Sequence, residues 1–396
     1  MRSDDVRWRE GRAFSLAYHA GTDAVAVAEE AYRRFSGENA LSTNAFPSLK
    51  RIQSEVVEMA GSWLGATSES AGYMTSGGTE SILMAVKSAR DRLLRERNIS
   101  RPNMVLPSSA HAAFAKAGAY FNVELRRVPV KSDWRADADA MRTSTDQNTM
   151  LIVGSAPQYP QGVVDDISAI AQIAIEHKIN CHVDACMGGV TLAYLARLGE
   201  NIAPWNLQVD GVSSISVDLH KFGYTSKGAS VIMYASKYLR SFQGFVTDDW
   251  LGGMYGSSGA LGTKSGGAMA SAWAVMNFLG DDGYMRVTAE ARSATLKLAE
   301  HITSSEFLCV RAVPESTLLS FGAKNPAQLN VFAVADELTK IGWYVDRQTP
   351  PDSLHCTVNA IHHDKIDWFT RDLDAAVATV LNAQSTGKVG SYATLE

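Results

Sequence analysis

The most informative segment of the chain is SVDLHKFGY, residues 216–224, in which an apolar strand pattern ends at His220 and Lys221. A lysine at the end of a buried strand loses solvation, which lowers the pKa of its amine and makes the amine a nucleophile toward an aldehyde. The alternative interpretation is a solvent-exposed lysine at a strand end, because lysine is usually exposed. Segments earlier in the chain bear on this choice.

A second short apolar strand pattern, in CHVDACMGG (residues 181–189), ends at Asp184. A carboxylate in this position can pair with the ring nitrogen of pyridoxal phosphate (PLP). That pairing keeps the ring protonated, so that the ring accepts electrons from a substrate carbanion. An aspartate that caps the next helix explains the same residue, and both interpretations stay open at this point.

A glycine-containing turn, TSGGTES, occupies residues 75–81. Gly77 and Gly78 allow backbone amides to approach an anion, and the helix that starts at about Thr79 directs its positive end at the same place. The phosphate of PLP suits such a turn. A small-residue turn capped by Thr79 is the alternative.

Two further segments place polar side chains after predicted strands. His111, in SSAHAAFAKA, can stack its flat ring on the pyridine ring, although a core or helix-terminal histidine is the alternative. Ser155 and Gln158 can hydrogen-bond the cofactor O3′ or the substrate, although a proline-shaped loop explains them as well.

The order of these pieces is more informative than any one of them. A glycine turn, a strand-end histidine, a strand-end aspartate and a His-Lys pair follow in the order expected of a fold-type-I PLP enzyme. From residue 75 onward, short apolar strands alternate with amphipathic helices. This pattern predicts an α/β fold with a mostly parallel central sheet and helices on both faces. We predict an N-terminal segment (1–50), a large PLP-binding domain (51–285) and a smaller C-terminal α+β domain (286–396).

Composition narrows the class of protein. The net charge of −5 argues against an electrostatic grip on nucleic acid. Four cysteines without a C-x-x-C pair favour a reduced, cytoplasmic compartment over a disulfide framework. No run approaches the roughly 18 apolar residues that a membrane span requires, so we expect no integral membrane segment. We also predict no metal site.

Four segments in combination resemble the sphingosine-1-phosphate lyases: MTSGGTES (74–81), AHAAFAKA (110–117), HVDACMGG (182–189) and SVDLHKFGYTSKG (216–228). The likeness extends through PQYPQGVVD (157–165), DDWLGGMYGS (248–257) and PPDSLHCTV (350–358). The resemblance implies that Lys221 is the Schiff-base lysine, that Asp184 pairs with the pyridinium and that His111 stacks on the ring. It assigns the cofactor phosphate to Gly78, Thr79 and His220.

The resemblance also implies a site for a substrate phosphate, and here the chain departs from the family. Tyr18, in SLAYHAG, and Lys227, six residues after the Schiff-base lysine, match family residues at that phosphate. Ser42 stands where the family has a histidine. Lys264 stands where the family has an arginine, and lysine keeps the charge but loses the planar fork. We therefore expect weaker handling of the substrate phosphate, or a different head group.

The implied activity is PLP-dependent retro-aldol cleavage of a phosphorylated sphingoid base to a fatty aldehyde and phosphoethanolamine. Lys221 is a candidate proton shuttle, with Tyr224 as a helper. A PLP-dependent amino-acid decarboxylase of the same fold and a non-catalytic PLP-binding protein are the alternatives. The fold also implies a homodimer with shared active sites, in which the glycine-rich residues 252–267 reach toward the partner.

Overall fold

The computed structural model describes residues 4–97, 99, 101–383 and 386–390. Parts of the predicted segment and domains lie outside the described residues. They are residues 1–3 of the N-terminal segment, Asn98 and Ser100 of the large domain, and residues 384–385 and 391–396 of the C-terminal domain. The helices are α1 Thr22–Arg34, α2 Pro47–Leu64, α3 Gly78–Glu96, α4 Ala113–Phe121, α5 Ala138–Ser144, α6 Ile167–His177, α7 Thr191–Arg197, α8 Lys237–Ser241, α9 Gly267–Ser304, α10 Val331–Lys340 and α11 Ile366–Ala383.

The strands form three sheets. They are β1 Ala71–Thr75, β2 Asn103–Pro107, β3 Glu124–Val128, β4 Thr149–Ser155, β5 Asn180–Asp184, β6 Ser214–Val217, β7 Ser230–Tyr234, β8 Phe245–Thr247, β9 Tyr255–Ser257, β10 Leu308–Val310, β11 Leu318–Ala323, β12 Asp346–Gln348 and β13 Ser353–Thr357. The central sheet has seven strands in the order β1-β7-β6-β5-β4-β2-β3. Only β7 runs antiparallel to its neighbours β1 and β6. The predicted mostly parallel sheet is therefore confirmed.

Helices cover both faces of this sheet, as predicted. Side chains alternate along a strand, so neighbouring residues belong to different faces. Ile152 of β4 packs in one hydrophobic cluster with helices α2, α6 and α9, whereas Leu151 and Val153 pack in another with α3 and α4. Burial on both faces explains the continuous apolar run of β4, residues 150–153.

The C-terminal part has a hydrophobic cluster of its own. A four-stranded sheet in the order β10-β11-β13-β12 packs there with α10 and α11. Phe14 from the N-terminal segment is buried in the same cluster, against Trp343 and Phe369. The predicted limit between 285 and 286 falls inside α9, whose helical geometry is interrupted at Gly280. The domain limits stay predictions.

Before α9 lies a feature that the sequence did not reveal, a two-stranded hairpin of β8 and β9, whose second strand belongs to the glycine-rich stretch. Its large apolar side chains are each more than half exposed: Phe245, Val246, Trp250, Leu251 and Met254. Within the described part of the chain, no helix has the length and apolar character needed to cross a membrane.

Candidate active site

The eight residues predicted to bind the cofactor all line one cavity of about 360 Å³. They come from the ends or following turns of β1, β2, β4, β5 and β6. Carboxyl ends of parallel strands meet at one edge of a sheet, which is why residues far apart in sequence converge here. We name this space the cofactor cavity; the eight predicted residues in its wall are Gly77, Gly78, Thr79, His111, Ser155, Asp184, His220 and Lys221.

Lys221 is held at this cavity by a carboxylate that our sequence analysis missed. The Nζ atom of Lys221 lies 3.0 Å from Oδ2 of Asp218, which is only 2% exposed. Ser230 donates from Oγ to the other carboxylate oxygen at 2.5 Å. Burial alone would raise the pKa of Asp218, but the charges of Lys221 and His220 bring that pKa below its ordinary value. Its position three residues before the lysine, in SVDLHK, was the available signal.

The turn at Gly77 and Gly78 is shaped for close approach. A Cβ atom on Gly78 would lie 2.8 Å from both Asp218 Oδ2 and Cys186 Sγ, so no larger residue fits without displacement. A Cβ atom on Gly77 would lie 3.4 Å from the ring of His220. The Nδ1 atom of His220 is buried and has no hydrogen-bond partner among the described residues. Burial lowers the pKa of His220, although Asp218 opposes that shift.

His111, after β2, and Asp184, at the end of β5, face the same cavity from the two sides of β4. The Nδ1 atom of His111 accepts a hydrogen bond from the backbone N–H of Ala113 at 3.1 Å. Burial lowers the pKa of His111, and the nearby charge of Asp184 opposes this effect. Asp184 is 8% exposed and accepts from the backbone N–H of Cys186 at 3.1 Å. Ser155 is buried at the end of β4, as the sequence predicted.

Two more residues of the cavity wall were missed. Tyr159 donates from its hydroxyl to Asp346 Oδ2 at 2.6 Å and so ties the cavity to the C-terminal sheet. Glu80, buried in the first turn of α3, accepts backbone hydrogen bonds from Ser76 at 2.6 Å and Ala260 at 2.7 Å. The glutamate was visible in TSGGTES, but its partner 180 residues away was not.

Tyr18, Tyr224 and Lys227 line a second cavity, of about 530 Å³, which we name the Tyr18 cavity. His220 forms part of the wall of both cavities. The ammonium of Lys227 lies 4.8 Å from the centre of the Tyr18 ring and donates to the backbone carbonyl of His220 at 3.1 Å. Lys227 as a residue is exposed, and its ammonium lies against the Tyr18 ring and the His220 carbonyl. Burial lowers the pKa of Lys227 to about 8, and the charge of Lys221 contributes in the same direction.

Tyr224, the predicted helper of Lys221, lines the Tyr18 cavity, whereas Lys221 lines the cofactor cavity. Tyr224 has a left-handed backbone with a φ of 58°, and its side chain is buried in the wall of the Tyr18 cavity. Burial raises the pKa of its hydroxyl well above the ordinary value. Its catalytic role stays a prediction.

Ser42 and Lys264 line neither cavity of the single chain. Ser42 is exposed on the loop before α2. Lys264 donates from Nζ to the hydroxyl of Tyr73 at 2.8 Å, and its backbone carbonyl accepts from Ala40 at 2.8 Å. The loop that carries Ser42 is thus hydrogen-bonded to the segment that carries Lys264. This contact is consistent with a common role of the two residues at the substrate phosphate.

The residues of the cofactor cavity fit PLP. They provide an amine for the aldehyde, an unpartnered ring nitrogen of His220 beside a glycine turn for the phosphate, and a buried carboxylate for the pyridine nitrogen. No group of three histidine, cysteine or acidic side chains able to hold a metal ion occurs within the described ranges.

Comparison with known proteins agrees with this fit. A family model described as the pyridoxal-dependent decarboxylase conserved domain matches residues 5–324. The sphingosine-1-phosphate lyase of Arabidopsis thaliana is 38% identical over 387 residues, which are 96% of this chain and 70% of that protein. The solved structure of the Burkholderia pseudomallei sphingosine-1-phosphate lyase is 34% identical with a TM-score of 0.91, covering 97% of this chain and 89% of that chain.

A more distantly related protein has the same fold. The glutamate decarboxylase of Lactobacillus brevis has a TM-score of 0.83 at 18% identity, over 96% of this chain and 90% of that chain. The fold and the cavity together define a PLP-dependent enzyme of the fold-type-I decarboxylase group. Within that group, the chain belongs to the sphingosine-1-phosphate lyase family. The predicted fold class, cofactor and family are therefore confirmed.

Proposed function

We propose that the protein is a carbon–carbon lyase that cleaves a phosphorylated sphingoid base to a fatty aldehyde and phosphoethanolamine. The observation that carries the proposal is the convergence of Lys221, Asp184, Asp218 and His111 on one cavity in a chain of this family. In this reaction the C2–C3 bond breaks, the C3 hydroxyl gives up its proton as the aldehyde forms, and C2 gains a proton.

When bound, PLP supplies an electron-accepting ring that stabilises the negative charge left on C2. Lys221 would hold the cofactor covalently through Nζ, and Asp184 would face the ring nitrogen. His111 would cover one face of the ring. The phosphate would lie at the turn of Gly77, Gly78 and Thr79 beside His220.

Lys221 is also the group best placed to move protons. Its amine lies 3.0 Å from the buried carboxylate of Asp218, which holds the side chain in one position. A lysine with a charged partner at hydrogen-bond distance can accept a proton and return it without leaving the cavity.

Space for the body of the substrate adjoins the cofactor cavity. A third cavity of about 510 Å³ shares His111 and Tyr159 with it, and we name this space the side cavity. Apolar side chains in its wall suit a hydrocarbon chain, which gains free energy by leaving water; they include Val130, Trp134, Pro160 and Pro350. Arg347 and Gln348 add polar groups.

The substrate phosphate belongs in the Tyr18 cavity in this proposal. Lys227 supplies a positive charge and Tyr18 a hydroxyl group, and His220 connects this cavity to the cofactor cavity. A charge-assisted hydrogen bond to phosphate is stronger than a neutral one, so Lys227 is the principal expected contact.

We also propose a homodimer with shared active sites, located in the cytoplasm. The exposed apolar side chains of the β8–β9 hairpin, such as Trp250 and Leu251, form a surface that monomers rarely leave in water. A second copy is the partner that we favour, because a two-fold contact covers the same surface on both chains. Leu251→Asp should shift the mass measured by light scattering from dimer to monomer; a native protein that is monomeric and fully active would refute the dimer.

The proposed location in the cytoplasm is supported by the free cysteines, which are consistent with a reducing compartment; they are Cys181, Cys186, Cys309 and Cys356.

A product assay tests the activity. The native enzyme is incubated with a phosphorylated sphingoid base and, separately, with a panel of amino acids, and both aldehyde and carbon dioxide are measured. Aldehyde from the lipid without carbon dioxide from the amino acids supports the lyase. Carbon dioxide alone would support the decarboxylase, and neither product would support a non-catalytic PLP-binding protein. Lys221→Ala is the inactive control.

A further inference from the structure

Helix α3, whose first turn belongs to the cofactor cavity, also holds both ends of the exposed β8–β9 hairpin. At the entry to the hairpin, Lys87 donates from Nζ to the backbone carbonyls of Phe242 at 2.8 Å and Gly244 at 2.7 Å. Lys87 lies about two helical turns after Glu80, which places the two side chains on the same side of α3. Lys87 lines neither the cofactor cavity nor the Tyr18 cavity.

At the exit from the hairpin, the partner on α3 is Glu80. One carboxylate oxygen accepts from the N–H of Ala260 at 2.7 Å, and the other accepts from the N–H of Ser76 at 2.6 Å. Ser76 begins the turn that we assign to the cofactor phosphate. Glu80 is only 6% exposed, and no cation pairs with it among the described residues. Its two backbone partners are therefore its principal compensation for burial.

The fit around Glu80 leaves little room for independent movement. A Cβ atom on Gly259 would lie 2.6 Å from the Glu80 oxygen that accepts from Ala260. The same segment is fixed a second time by Lys264, which donates to the hydroxyl of Tyr73, in the middle of β1, at 2.8 Å. The buried carboxylate of Glu80 thus fixes both the position of the hairpin exit and the position of the cofactor-phosphate turn.

We infer that Glu80 is a positioning residue that couples the place of the β8–β9 hairpin to the shape of the cofactor-phosphate turn. Binding of PLP at the turn then restrains the hairpin, and restraint of the hairpin, for example on a second subunit, favours PLP binding. Coupling of two sites is reciprocal by thermodynamic necessity. This inference rests on the proposed cofactor site but not on the identity of the substrate.

The first test removes one of the two acceptors at constant size. Glu80→Gln leaves one oxygen acceptor and puts an amide donor against the other N–H, so one link is lost. We expect PLP affinity, measured by absorbance titration of the apoprotein, to fall about tenfold, which corresponds to about 1.4 kcal/mol. In the native protein, PLP should slow hydrogen exchange in residues 245–260 by about fivefold. In Glu80→Gln this slowing should disappear. Glu58→Gln, an exposed glutamate on α2, is the matched control and should behave as native.

The second test acts at the hairpin alone. Lys87→Met removes the entry contact without altering a residue of either cavity, and we expect it to weaken PLP affinity by about fivefold. Lys50→Met, an exposed lysine on α2, is its control. Native PLP affinity in both Glu80→Gln and Lys87→Met, with PLP still slowing exchange in the hairpin of Glu80→Gln, would overturn Glu80 as the residue that couples them. These readouts need only PLP, so a failed lyase assay leaves them valid. A native protein that binds no PLP would instead overturn the proposed cofactor site.

Discussion

Gly78→Ala tests whether the buried carboxylate of Asp218 sets the shape of the cofactor turn. Gly78 is the first residue of α3, where alanine would ordinarily stabilise a helix by about 0.5–1 kcal/mol relative to glycine. The added Cβ atom, however, would lie 2.8 Å from Asp218 Oδ2 and from Cys186 Sγ, and 3.0 Å from Asp218 Oδ1. Helix propensity and packing therefore predict opposite signs for the change in the free energy of unfolding.

Packing should dominate because neither neighbour can move cheaply. Asp218 is 2% exposed and is held by Ser230 and Lys221, and Cys186 is buried against Ser216. Overpacking of a closed site costs about 1–3 kcal/mol, which exceeds the gain from propensity. We expect the free energy of unfolding of the apoprotein to fall by about 1–2 kcal/mol after the two effects are combined.

The assay compares thermal unfolding and PLP affinity of the Gly78→Ala, Gly37→Ala and native apoproteins. A Cβ atom on Gly37, in the turn after α1, meets nothing within 4 Å, so that variant reports a glycine-to-alanine change without a clash. We expect Gly78→Ala to be less stable and to bind PLP more weakly, and Gly37→Ala to be close to native. Equal or greater stability of Gly78→Ala, with native PLP affinity, would refute the argument that Asp218 constrains the turn.

Three further predictions concern the lysines and the substrate phosphate. Borohydride reduction of the holoenzyme should attach the cofactor irreversibly to Lys221, as seen by mass spectrometry; trapping on the chain in Lys221→Ala would contradict that assignment. The KM for a phosphorylated substrate should rise as the pH passes above about 8, because Lys227 then loses its charge, whereas the KM for the unphosphorylated base should not; Lys227→Arg should abolish the rise. Ser42→His should tighten binding of the phosphorylated substrate by about tenfold through a charge-assisted hydrogen bond. Since Ser42 lies outside both cavities of one chain, the expected gain rests on the proposed dimer; no gain in an enzyme that already prefers the phosphorylated base would show that this position was misinterpreted.

The periodicity of the sequence and the residues at its strand ends were sufficient to predict the fold of the large domain and its cofactor residues. The strand Asn180–Asp184 ends at the predicted residue, because a short apolar pattern that stops at a charged residue is a local property. The eight predicted cofactor residues converge for a related reason. Each follows a strand or ends one, and a mostly parallel sheet brings such ends to a single edge.

Contacts that depend on distant segments could be recognised only in the tertiary structure. Tyr159 meets Asp346 across 187 residues, and Glu80 meets Ala260 across 180, and no local pattern encodes either pair. Tyr224 follows Lys221 by three residues, yet a left-handed backbone at Tyr224 places its side chain in the wall of a different cavity. Nearness in sequence suggested the partnership of Tyr224 with Lys221, and that catalytic role stays a prediction.

Local sequence therefore determined the elements, their order along the chain and the chemical groups at the strand ends. Tertiary structure decided which of those groups share a cavity, because side-chain direction and long-range packing are set by the whole fold rather than by neighbouring residues. The ion pair of Lys221 with Asp218 illustrates both parts. Its two residues stood in the quoted segment from the start, but only burial beside Gly78 and Ser230 made the carboxylate a part of the site.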